Sequence, residues 1–146
     1  MEKSLDSFLT YLEEQFALED VDLRTYSPLT LAYIGDAVFD MVIRTLVVRK
    51  GNCPPNKLHK RASALVNASS QAQMIERILP DLTDEEEQIY KRGRNAKAYT
   101  KAKNATVLDY RKATGLEALM GYLYLKGDAK RAIDLVKLGL DRGEKR

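Results

Sequence analysis

The chain has 146 residues, 45% of them apolar and 31% charged, the balance of one soluble globular domain and not of a disordered or fibrous chain. One cysteine, Cys53, and one histidine, His59, exclude an internal disulfide framework and a structural zinc site, and the lone thiol suits a reducing, cytoplasmic compartment. The net charge of +3 says little by itself.

The first residues, Met1 to Asp6, are polar with no apolar run behind them, so no secretory or lipid signal is expected. Leu5, Phe8, Leu9, Leu12 and Phe16 recur at helical spacing and predict an amphipathic helix over 4–17. An acidic loop, Glu19–Asp22, follows. Ser27-Pro28 is a helix start, Ser at N-cap and Pro at the first helical position, with the helix running to about Lys50 and stopping at Gly51-Asn52. Its apolar stretch Leu29 to Val48 has spanning length but contains Asp36, Asp40 and Arg44, each costing roughly 2.5–3.5 kcal/mol at a bilayer centre, which argues against a membrane span.

Pro54-Pro55 interrupts, and Asn56 is expected to cap a helix to about Asn67. Ser70-x-x-Gln73 and Thr83-x-x-Glu86 read as two capping boxes separated by Pro80. Gly93 is expected to interrupt the second of these helices, and Arg94–Asn104 is basic and poorly periodic. Thr106 caps a long helix to about Lys126, stopped by Gly127-Asp128. Ala132, Ile133, Val136 and Leu140 give a last amphipathic helix. Nothing alternates with period two. The class is all-α, a single compact helical domain of six to eight helices.

Charge is blocked along the chain. Residues 1–25 carry −5, residues 41–75 carry +6, residues 76–90 carry −5, residues 91–112 carry +7 and residues 126–146 carry +3. Two basic blocks separated by an acidic one fit a polyanion partner such as nucleic acid, because Lys and Arg beside phosphates release counterions. Solvated helix faces give the same pattern.

Two carboxylates stand out. With Val38 at zero and about 100° per residue, Asp36 and Asp40 fall on the face of Leu29, Ile43 and Val47, while Leu31 and Val42 lie with Val38 opposite. The helix is apolar nearly all round and reads as central in the core. An Asp there is costly unless paired, hydrogen-bonded or coordinated, and Gly35 beside it admits another backbone or a ligand. Glu117 is the only charge between Ala113 and Leu125, with Gly121 one turn on. If Asp36 and Glu117 converge from packed helices, their oxygens suit a hard cation such as Mg²⁺. The alternative is that each pairs with an Arg, a Lys or a helix N-terminus at the edge of the core.

Leu31-Ala32-Tyr33-Ile34-Gly35-Asp36-Ala37-Val38 resembles the signature of the ribonuclease III family, in which an apolar pair, Gly, Asp and a small residue open the catalytic helix. Gly115-Leu116-Glu117-Ala118-Leu119-Met120-Gly121 resembles that family's second catalytic segment. The chain looks like the short bacterial Mini-III branch, which has the catalytic domain and no double-stranded-RNA-binding domain. On that likeness 1–146 is a catalytic domain alone. Arg92-Gly93-Arg94-Asn95-Ala96-Lys97 is similar to a basic stretch of the branch. Full-length members use four acidic positions per site. Two of these fall here on Ala32 and Thr114, so only Asp36 and Glu117 carry over as catalytic metal ligands. Thr114 is then a candidate to hold a water on the ion, and Asp40 to support Asp36 from one turn away.

The resemblance implies hydrolysis of a phosphodiester in double-stranded RNA with Mg²⁺, for which Mn²⁺ can substitute, giving 5′-phosphate products. It also implies a homodimer with one site per strand, and maturation of the large-subunit (23S) ribosomal RNA precursor. A-form RNA hides its bases in a narrow major groove, so recognition should rest on shape, phosphates and 2′-hydroxyls. Arg92, Arg94, Asn95 and Lys97, then Lys101 and Lys103, are the candidate RNA contacts. His59 and Cys53 read as plain side chains, and Tyr122 and Tyr124 as packing. The missing carboxylates motivate a rival, a non-catalytic RNA-binding or ribosome-associated protein of the same fold. A helical interaction module without RNA is a further one.

Overall fold

The computed structural model describes residues 5–96 and 106–144. Among the described residues there are seven α-helices: α1 (Leu5–Gln15), α2 (Pro28–Arg49), α3 (Pro55–Val66), α4 (Ala68–Ile78), α5 (Asp84–Asn95), α6 (Val107–Leu125) and α7 (Ala129–Glu144). Short 3-10 turns at Leu23–Thr25 and Leu79–Asp81 lead into α2 and α5. No strand occurs among the described residues, as the sequence predicts.

Several helix ends form as their residues dictate. Ser27 Oγ accepts from the Leu29 amide at 3.2 Å, with Pro28 at the first position of α2. Thr83 and Glu86 close a reciprocal capping box at α5, and Thr106 accepts from the Asp109 amide to open α6. At the other end of α6, Gly127 takes φ +86°. Its amide donates to the Tyr124 carbonyl at 3.0 Å and that of Asp128 to the Leu123 carbonyl at 2.8 Å. This is a Schellman stop, where a left-handed residue is required.

Three local expectations change. α3 starts at Pro55, one residue before the expected cap Asn56, because proline is at home at the first helical position, where no amide is needed. The Ser70/Gln73 box does not form, because Asn67 has already capped α4. Its Oδ1 accepts from the Ser70 amide at 2.9 Å, while its Nδ2 donates to the Ser63 and Ala64 carbonyls that end α3. One carboxamide, donor and acceptor at once, thus joins two helices without a loop. Gly93 does not interrupt α5. It lies where α5 meets α6, and a Cβ there would stand 2.9 Å from Gly115 Cα and 2.8 Å from Ala118 Cβ.

The central helix is α6, not α2. From Ala113 to Tyr124 every residue but Glu117 is buried, and α2, α4 and α5 pack around it. α2 instead keeps an outer face at the surface, where Tyr33 is 83%, Met41 61% and Val48 53% exposed. Its apolar character all round thus reflects a core on one side and a bare apolar strip on the other. None of the helices is long and apolar enough to cross a membrane among the described residues.

The buried Glu86 ties α5 to α7. Its two carboxylate oxygens accept from Arg131 Nε and Nη2, each at 2.8 Å, and Oε1 also accepts from the Thr83 amide. The Arg131 guanidinium, helped by the Thr83 amide, holds the Glu86 carboxyl below its usual range against the cost of burial. Glu86→Ala leaves Arg131 with only the Asp81 carbonyl and removes the Glu86 half of the capping box, so a loss of about 2 kcal/mol is expected in urea unfolding. The folded-state pKa is depressed, so this contribution is present above the unfolded value of 4.5 and fades as pH falls through the folded one. The gap between variant and parent is therefore expected to close in acid.

Candidate active site

The site is built where α2 crosses α6. Leu31 of α2 faces Gly121 of α6, and Gly35 faces Glu117, so the two helices run in opposite directions past each other. A Cβ on Gly35 would lie 1.6 Å from the Glu117 carbonyl oxygen, and one on Gly121 would lie 2.0 Å from the Leu31 carbonyl oxygen. The backbones therefore touch at a distance that no side chain permits. Asp36 follows Gly35 directly and is carried to the edge of this contact, exposed to solvent, while Glu117 sits half-buried at its centre. The expectation of a core aspartate is corrected: Asp36 opens to water, and the glutamate bears the burial.

The two carboxyl groups come within hydrogen-bonding reach of each other. Burial first, and then the negative charge of Asp36, push the Glu117 carboxyl up from 4.5 to about 8. Among the described residues, no Lys or Arg forms an ion pair with either carboxylate. Pairing with a core-edge cation, the alternative left open by the sequence, is therefore not seen there. Two oxygen donors of like charge held together are a fit for a divalent cation, whose charge removes the repulsion. No group of three or more His, Cys, Asp or Glu side chains suited to a metal occurs among the described residues. Mg²⁺ does not need one, since it usually keeps several waters and takes one or two carboxylates together with substrate phosphates.

The remaining candidates divide. Thr114 lies one turn before Glu117 on α6, buried, and its hydroxyl donates to the Tyr110 carbonyl at 3.0 Å. Asp40 is engaged with Arg44 at 2.8 Å along α2. Arg92 and Arg94 flank Gly93, so the α5–α6 contact at Gly115 and Ala118 brings them beside the segment that carries Glu117. Arg92 is exposed and reaches the Tyr26 carbonyl at 3.4 Å, while Arg94 stacks over Tyr90 at 5.6 Å and donates to Asn95 Oδ1. Lys97, Lys101 and Lys103 lie outside the described residues. Tyr122 and Tyr124 are buried, and His59 is exposed, as read from the sequence.

One neighbour of the site was not singled out by sequence. Gln71 of α4 is 3% exposed, and its Nε2 donates to Glu117 Oε2 at 3.4 Å. The signal was available: Gln71 falls on the stripe of Met74, Ile75 and Ile78, a polar residue on the apolar face of an amphipathic helix.

Known proteins resemble this chain over most of its length. Residues 29–128 match the profile of the ribonuclease III domain, which spans both carboxylates. A protein of Clostridium tetani named Mini-ribonuclease 3 is 45% identical over 88% of this chain and 84% of its own length. One of the same name from a Thermoanaerobacter species is 44% identical over 96% of both chains. The X-ray crystal structure of a Fusobacterium nucleatum protein superposes with a TM-score of 0.75 at 34% identity, covering 86% of this chain and 99% of that one.

Proposed function

Because the chain belongs to the ribonuclease III family, and is by that membership an endoribonuclease, we propose that it hydrolyses double-stranded RNA at the α2–α6 crossing, with Asp36 and Glu117 holding Mg²⁺. The observation that supports this most directly is the meeting of an exposed aspartate and a half-buried glutamate on two helices locked backbone to backbone. When bound, the ion supplies Lewis acidity to the scissile phosphate and lowers the pKa of the attacking water.

The chain's own residues bind and orient. Asp36 faces solvent, where a phosphate backbone can approach, and Glu117 anchors the site from within the core. Neither needs to shuttle a proton. Arg92 and Arg94 at the end of α5, continued by Lys97, Lys101 and Lys103, offer positive charge to the phosphates, and Asn95 a neutral donor. Asp40 and Thr114 are left supporting roles, because their side chains are already engaged within their own helices. The domain 1–146 acts as one catalytic unit in the cytoplasm. It works as a homodimer through the outer strip of α2, where Tyr33, Met41 and Val48 lie bare within one sector of the helix. The cellular substrate is the precursor of large-subunit (23S) ribosomal RNA, which rests on the resemblance to the Mini-III branch.

The test is a cleavage assay on duplex RNA. Cleavage with 5′-phosphate ends is expected in Mg²⁺ or Mn²⁺, none in EDTA, and none by Asp36→Asn. Equal cleavage by parent and Asp36→Asn would sink the assignment of the site. Binding carried by phosphate contacts should also weaken steeply with salt.

A further inference from the structure

We propose that Gln71 is a positioning residue, whose carboxamide fixes the orientation of the Glu117 carboxylate at the α2–α6 crossing. Three buried polar or charged residues stand out among those described, Gln71, Glu86 and Thr114. Glu86 is accounted for by Arg131 and the α5 cap, and Thr114 by the Tyr110 carbonyl. Gln71 has no such local duty. It stands on the apolar face of α4, where Leu or Ile would pack at no polar cost, and an unpartnered carboxamide there would be penalised. Its amide is turned instead toward Glu117 Oε2.

Chemistry makes the direction of this bond informative. The carboxamide nitrogen is a donor only, so it needs an acceptor, and the acceptor it meets is a carboxylate oxygen of Glu117. It engages Oε2 of the two carboxylate oxygens. At 3.4 Å the contact is longer than a usual N–H···O bond, so it steers the carboxylate more than it clamps it. Outer partners that orient a ligating carboxylate commonly change metal affinity or activity 10–100-fold. In a site with two carboxylates in place of the family's four, one neutral donor takes over part of the orienting task.

This inference rests on the proposed metal site, so the experiment separates the two. Mn²⁺ is titrated into the RNA-free protein and free ion is followed by electron paramagnetic resonance. Parent, Asp36→Asn, Gln71→Leu and Gln71→Met are compared, with melting in EDTA recorded for each. The expected result is Mn²⁺ binding weakened about 10–100-fold in both Gln71 variants, with melting temperatures equal to or above the parent's. Unchanged Mn²⁺ affinity in a Gln71 variant, with Asp36→Asn still losing the ion, would overturn the inference alone and leave Gln71 a packing residue. No binding by the parent, or equal binding by Asp36→Asn, would overturn both. Met keeps the length of the side chain, so it reads the result if Leu disturbs the fold.

Discussion

Replacing Glu117 with Gln is expected to have opposite effects on catalysis and on stability. Cleavage of duplex RNA should fall by about 10²- to 10³-fold, since the charge stabilisation that a metal lends a transition state is worth several kcal/mol. The same variant should be more stable than the parent in EDTA. In the folded, metal-free protein the Glu117 pKa is raised from 4.5 to about 8. Between those values the folded state holds a proton that the unfolded chain releases, so stability declines as pH rises across that window and levels off above it. Gln carries no such charge. The advantage of Glu117→Gln should thus be small at pH 4.5 and reach on the order of 2 kcal/mol at pH 8. Mg²⁺ should narrow it by stabilising the parent alone. Thermal melts of both proteins at pH 5 and 8, with and without Mg²⁺, read this directly. A variant less stable than its parent at pH 8 in EDTA would show that the carboxylate is not under strain.

The second large effect is expected at Gly35. A methyl group there would lie 1.6 Å from a carbonyl oxygen of α6, and backbone cannot rotate out of the way. The helices must separate, which opens the central packing of the domain. Gly35→Ala should cost about 3 kcal/mol, or roughly 10 °C in melting temperature, despite the better helix propensity of Ala. Cleavage should be lost along with it, because Asp36 moves with the displaced helix. Gly139→Ala provides the contrast. Its methyl would meet Met74 Cγ at 2.7 Å, a buried side chain that can still change rotamer where a main chain cannot, so a smaller loss, on the order of 1 kcal/mol, is expected. Equal losses at the two positions would mean that the α2–α6 contact carries no special weight.

Helix ends were legible wherever one residue type has one local task. Ser27 before Pro28, the Thr83/Glu86 pair, Thr106 and Gly127 all formed as expected, because capping is decided within four residues. Asn67 was not, since its carboxamide serves two helices at once and each reading alone looks like an ending. Gly93 was misread as a breaker because a glycine that admits a neighbouring backbone and one that ends a helix look alike in sequence. The pairing of Asp36 with Glu117 was legible through their glycines and the motif resemblance. Which of them is the less exposed was not, because α2 is apolar on its core side and on its bare side, and hydropathy cannot tell the two apart. Gln71 escaped because the partner that explains it is 46 residues away.

The backbone contact between α2 and α6 has a consequence for which ion the proposed site would accept. Side chains can change rotamer to suit a guest, but two touching main chains cannot. The two carboxylates are carried on that frame, so their adjustment is confined to the side-chain torsions of Asp36 and Glu117. Calcium demands longer bonds and a larger coordination number than magnesium or manganese, and a frame without adjustable packing has little means to widen for it. Discrimination by ionic radius would then be written into two glycines, neither of which touches the ion.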